Sequence, residues 1–141
     1  MELRDQVINL ELAKKLKELG VKNESIFVWE YFNDQCHGIK YKPYAVVPNP
    51  HFDDGMKLYS AFSIAELGEI LPNYIQTQVS ATSSYDGKYY LEIFKGLDGK
   101  WGIGYVMDGS LPPLICNIND TLVNIMAKSL IWLIENGHVK V

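Results

Sequence analysis

Asp120-Thr-Leu-Val-Asn-Ile-Met-Ala-Lys-Ser-Leu-Ile-Trp-Leu-Ile-Glu-Asn136 is the longest stretch of this chain that reads as one element. Projected at about 100° per residue, Leu122, Val123, Met126, Ala127, Leu130, Leu133 and Ile134 fill a broad sector of the wheel, while Asn124, Lys128 and Glu135 crowd into one stripe. A surface helix carries a wider polar face, so the spacing predicts a helix buried around most of its circumference. Asn119 or Asp120 offers an oxygen to the free amides at its start, and Gly137 can take the left-handed conformation that closes its end. The rest of the chain is expected to cover this helix.

Moving upstream, Asp-Gly pairs at Asp86-Gly87, Asp98-Gly99 and Asp108-Gly109 are hairpin signals between alternating segments. They predict a meander with strands near 75–84, 88–95, 100–107 and 111–116. A turn centred on Asp98-Gly99 would put Tyr90, Glu92, Phe94, Trp101, Ile103 and Tyr105 on one face, and Leu91, Ile93, Gly102, Gly104 and Val106 on the other. The glycine face leaves room for close approach, so it is expected to receive the C-terminal helix.

Further back, Phe62-Ser-Ile-Ala-Glu-Leu67 has the spacing of a capping box, Ser63 with Glu66, and of a hydrophobic staple, Phe62 with Leu67. A helix is expected from Ile64 to its stop at Pro72. Ile26 to Phe32 reads as an aromatic strand, Asn33 to Gly38 as a polar turn, and Ile39 to Val47 as a returning edge strand interrupted by Pro43. Pro48 to Gly55 is the main loop. Near the start, Leu12, Ala13, Leu16 and Leu19 share one side of a short helix between Asn9 as N-cap and Gly20 as stop.

The chain of 141 residues is 48% hydrophobic and 21% charged, the balance of a packed domain rather than a disordered one. The expected fold is a single α+β domain over residues 1–141, an antiparallel sheet of about five or six strands with three helices. A formal charge of −4 and a pI near 5.3 are the wrong sign for a protein that relies on neutralising phosphates. Lys14, Lys15 and Lys17 cluster, but Glu11 and Glu18 interleave with them, which reads as a solvated helix face. Cys36 and Cys116, far apart, read as reduced thiols, and no apolar run approaches membrane-spanning length. With no export signal at Met-Glu-Leu-Arg-Asp, the expected location is the cytoplasm.

Three segments, taken in order, resemble a family of small hypothetical proteins encoded in bacteriophages, prophages and mobile elements: Leu12-Ala-Lys-Lys-Leu-Lys-Glu-Leu-Gly-Val-Lys22, Ala61-Phe-Ser-Ile-Ala-Glu-Leu-Gly-Glu-Ile-Leu-Pro72 and Met126-Ala-Lys-Ser-Leu-Ile-Trp-Leu-Ile-Glu-Asn-Gly137. These motifs are helix starts and core faces. The resemblance therefore implies a phage-type accessory protein in a bacterial host and carries no catalytic residue, cofactor or metal ligand.

No constellation of chemistry-bearing residues dominates the chain. Cys36-His37 puts a thiol beside an imidazole, but neighbours in a strand point to opposite faces. His51, Asp53 and Asp54 in the main loop could offer an imidazole and carboxylates to a metal or a small hydrolase site, without a second ligand cluster to complete it. Trp101-Gly-Ile-Gly-Tyr105 lies in an expected strand and opens no helix, so it is no nucleotide loop. Glu92 reads as a half-exposed sheet carboxylate and His138 as a helix-end imidazole. The nine Tyr, five Phe and three Trp are the feature most open to a functional reading. Tyr90, Phe94, Trp101, Ile103 and Tyr105 form the candidate interaction face, suited to a protein partner or a homodimer if solvent reaches it, and to the core if helices cover it. The expectation is non-catalytic protein–protein interaction. The alternatives are a small hydrolase or metal- or ligand-binding enzyme at the 51–54 loop, and single-stranded nucleic-acid binding by stacking.

Overall fold

A computed structural model describes residues 2–32, 35–41, 57–77, 87–107, 115–118 and 120–141. The helices start where side-chain acceptors stand in the sequence. Helix α1 (Leu10–Glu18) is capped by Asn9, whose side chain accepts from the Leu12 N–H at 2.9 Å. Helix α2 (Ile64–Ile70) carries the expected capping box: the Glu66 carboxylate accepts from the Ser63 N–H at 2.7 Å, and Ser63 Oγ accepts from the Glu66 N–H at 3.4 Å. Phe62 and Leu67, the two ends of the staple, are both buried.

Helix α3 (Leu122–Glu135) begins one residue later than the sequence suggests, on Thr121 as N-cap. Asp120 acts from outside the helix instead, accepting from the Thr121 N–H, Asn124 Nδ2 and Lys128 Nζ. At the far end the His138 N–H donates to the Leu133 carbonyl at 2.8 Å and the Gly137 N–H to that of Ile134 at 3.1 Å. With Gly137 at φ +74°, this is a Schellman closure. Val123, Ile125, Met126, Ala127, Ser129, Leu130 and Leu133 are buried, so α3 is covered on several sides, as its wheel implied. The Ser129 hydroxyl donates to the Ile125 carbonyl, which satisfies the polar atom inside the core.

The fold is α+β with a buried C-terminal helix, as expected, but the strands divide into two antiparallel sheets rather than one. The first, in order β2-β1-β3, is built from β1 (Phe27–Phe32), β2 (Gln35–Tyr41) and β3 (Lys57–Ser60). The second, in order β4-β5-β6-β7, is built from β4 (Tyr74–Gln76), β5 (Lys88–Lys95), β6 (Trp101–Val106) and β7 (Ile115–Ile118). Strand β2 starts inside the segment read as a polar turn, and β3 was not anticipated. Pro43 and the main loop lie outside the described residues.

Helix α3 packs on β6 and β7 with one side and on α1 and α2 with the other, while α1 also meets β3. Trp29 and Tyr59 of the three-stranded sheet pack onto the same core as Ile103 and Tyr105 of the four-stranded one. The Trp29 indole donates to the Ile8 carbonyl at 2.8 Å, tying that sheet to the segment before α1. Where α2 meets β1, Glu66 reaches beyond its own cap. Its carboxylate also accepts from the Ile26 N–H at 2.9 Å and the buried Ser25 hydroxyl at 3.1 Å.

The β5–β6 hairpin departs from the sequence reading by one residue. The Gly99 N–H donates to the Gly96 carbonyl at 2.9 Å, and the Gly96 N–H donates to the Lys100 carbonyl at 2.8 Å. Its loop is therefore Leu97-Asp98-Gly99, a turn followed by a left-handed residue, Gly99 at φ +80°. Phe94 then pairs with Gly102 and Ile93 with Ile103. A one-residue slip moves every side chain of one strand to the other face. Tyr90, Glu92 and Phe94 consequently share a face with Gly102, Gly104 and Val106, whereas Trp101, Ile103 and Tyr105 share the opposite one with Leu91, Ile93 and Lys95. The glycine face is the outer face, not the seat of α3.

Candidate interaction surface

The five residues expected to form one face are split by this register. Ile103 and Tyr105 point inward and have no exposed surface, and the Tyr105 hydroxyl donates to the Pro72 carbonyl at 2.6 Å. Burial pushes that hydroxyl well above the usual tyrosine range. Tyr90 and Phe94 point outward and are exposed. Trp101 shares the inner side with Tyr105 yet is 39% exposed, because it stands at the far end of β6 beside the first turn of α3.

The outer face has its own construction. Tyr74 of β4 pairs with Tyr90 of β5, and their rings lie 6.2 Å apart. Lys88 holds its ammonium 5.6 Å from the Tyr74 ring centre, within cation–π range. The Phe94 ring lies over Gly102 so closely that a Cβ there would sit 2.4 Å from its Cζ. The ring replaces the side chain that glycine lacks and covers Gly102, which is buried, as is Gly104 beyond it on the same face. Glu92 stands exposed between Tyr90 and Phe94, opposite Gly104. Lys95 lies on the inner side, 5.5 Å from the Trp101 ring centre, so the hairpin's lysines are divided between its faces.

The hairpin also carries five of the nine large apolar residues that stand exposed among the described residues: Tyr90, Ile93, Phe94, Leu97 and Trp101. Leu97, at the tip, is fully exposed. Sequence reasoning missed it, although an apolar residue inside an Asp-Gly turn is itself a signal. Tyr74 was missed because its strand was read as starting one residue later.

Beneath the exposed end of the hairpin lies a hollow of about 580 Å³. Trp101 forms one wall, and the starts of α2 (Ile64, Ala65) and α3 (Leu122, Val123) form others, with Phe27 of β1 alongside. Asp5, Gln6, Ser63 and Thr121 supply the polar part of its lining. Both hydroxyls are engaged: Ser63 Oγ donates to Glu66 and Thr121 Oγ accepts from the Asn124 N–H. A second, more open space of about 420 Å³ shares Trp101 and Thr121 with it and is otherwise lined by Gly99, Lys100 and Asp120.

The remaining candidates do not converge on this region. Cys36 and His37 are successive, exposed residues of β2; Cys36 pairs with Tyr31 and Gly38 with Glu30, so His37 is the extra residue of a bulge in the ladder. His51, Asp53 and Asp54 lie outside the described residues. His138 stacks on Trp132 with ring centres 5.4 Å apart. Among the described residues, no three His, Cys, Asp or Glu side chains gather closely enough to hold a metal ion, and no helix is long and apolar enough to cross a membrane.

The shifted carboxylates are structural. Desolvation pulls Glu66 upward, but hydrogen bonds from Ser63, Ile26 and Ser25 outweigh it and hold the group below the usual range. Asp120 is likewise held low, with Lys128, Asn124 and the Thr121 N–H outweighing its desolvation. The chain matches no protein-family model, no curated protein and no solved structure.

Proposed function

We propose that this protein is a non-catalytic accessory module, of the phage-encoded kind its three helical segments resemble, and that it acts by binding another protein. The observation that carries this reading is the outer face of the four-stranded sheet, where Tyr74, Tyr90 and Phe94 are exposed side by side on paired strands. Aromatic rings held on a sheet give large contact area at low ordering cost, which is the composition of an interface centre. Lys88 and Glu92 flank the rings with one charge of each sign. A complementary partner would present an apolar patch bordered by charges of both signs.

The test is affinity capture from the native host with wild type and a Tyr90→Ser/Phe94→Ser double variant, after circular dichroism shows that the variant is folded. A protein recovered in equimolar amount with wild type and lost from the double variant supports the reading. Equal recovery with both, or wild type recovered alone, ends it.

A further inference from the structure

We propose that the hollow under the hairpin is a docking site for a second copy of this chain, each copy inserting the Leu97 loop tip beside the other's Trp101. This surface is distinct from the outer aromatic face and stands without the reading above. The chemistry of the hollow selects its occupant. Its walls are mainly Phe27, Ile64, Ala65, Trp101 and Leu122, and its two hydroxyls already serve the starts of α2 and α3. A polar metabolite would find few groups to replace its water, whereas an apolar side chain needs none.

The hairpin supplies such a side chain close by. Leu97 is fully exposed on a loop of three residues, two residues beyond Lys95, the cross-strand partner of Trp101. Anchor and receptor thus sit on one edge of the molecule, so a two-fold axis between two hairpins brings each anchor to the other's hollow and closes the assembly. Anchor and receptor on remote faces would instead build an open chain. Charge agrees with the pairing: Lys95 and Lys100 flank the tip against the single carboxylate of Asp98, 3.6 Å from the Lys100 ammonium, which leaves the tip net positive, and Asp5 stands exposed at the mouth of the hollow. The neighbouring Ile93 and Ile64, both exposed in the single chain, widen the apolar contact.

Sedimentation of the full chain over a concentration series tests this, with two surface variants: Leu97→Glu, which removes the anchor, and Ala65→Trp, which fills the receptor at an exposed helix position. Wild type is expected to show a monomer–dimer equilibrium, and each variant a dissociation constant raised at least about tenfold. An equimolar mixture of the two variants retains one intact insertion, the Leu97 of one in the hollow of the other. It is therefore expected to associate more tightly than either variant alone. The Tyr90→Ser/Phe94→Ser variant is expected to dimerise as wild type does, which separates this surface from the outer face. A wild type monomeric up to about 1 mM, the weak limit of useful affinity, overturns the proposal. So does dimerisation undisturbed by Leu97→Glu, a mixture no tighter than its components, or a dimer lost with the outer-face variant.

Discussion

Trp101 and Tyr105 stand on the same face of the same strand, four residues apart, and only Tyr105 belongs to the core. At the rise of a β-strand they are separated by about 13 Å. Over that distance the covering layer runs out: α3 starts at Leu122, which lines the same hollow as Trp101. Facing inward is therefore insufficient for burial. The length and position of the covering helix decide where the sheet stops being core and becomes available surface.

Substituting the two residues separately gives the largest expected contrast. Tyr105→Ala removes a fully buried ring and leaves the Pro72 carbonyl without its donor, and is expected to cost about 3–5 kcal/mol in urea unfolding. Trp101→Ala is expected to cost no more than about 1 kcal/mol. Comparable losses would mean that the two ends of β6 are equally part of the core, and the comparison would break.

A smaller effect sharpens the same contrast from the other wall of the hollow. Glu66 holds Ser63, which lines that space, and Ile26, the residue before Phe27. Glu66→Gln weakens this clamp and is expected to cost about 1 kcal/mol at neutral pH, the worth of a cap. Amide exchange should quicken at the start of α2 and near Ile26 before it does around Tyr105. Because the Glu66 carboxyl is held below its ordinary value, the unfolded chain takes up the proton first as pH falls. The stability it contributes is present above the ordinary glutamate value, about 4.3, and is lost as pH falls through the lower folded value. The Gln variant should show a shallower acid loss, retaining the share of the same sign from Asp120. An unchanged acid limb in the variant would remove Glu66 from this role.

The smallest expected effect belongs to the outer face. Gly102→Ala brings a Cβ against the Phe94 ring, whose exposed end can swing away, so the cost should be about 0.5–1 kcal/mol, the worth of a cross-strand pair. In a double-mutant cycle with Phe94→Ala most of that cost should disappear. If the two substitutions add independently, the ring does not serve as cover for the glycine.

Much of the fold was legible in the chain because helix ends are local. Asn9, Ser63 with Glu66, and Gly137 each satisfy backbone groups within four residues, and each acts in the structure as its spacing implied. The division of strands between two sheets was not legible, since alternation says which residues share a face and nothing about which strands pair. Nor was the candidate surface. Asp98-Gly99 announced a turn correctly, but Gly96 closing on Lys100 made its loop three residues long, and that single residue turned Phe94 away from Trp101. Tyr74 joined the surface only through a pairing with Tyr90 that crosses a long stretch of chain.

What the sequence determined by itself was the class of the fold, the starts of its first two helices, the stops of all three, and the burial of the C-terminal one, all set by the period of apolar residues and by hydrogen bonds between near neighbours. What only the tertiary structure decided was which aromatic rings meet water, because that depends on a backbone register set in one loop and on how far a helix from elsewhere in the chain extends across the sheet.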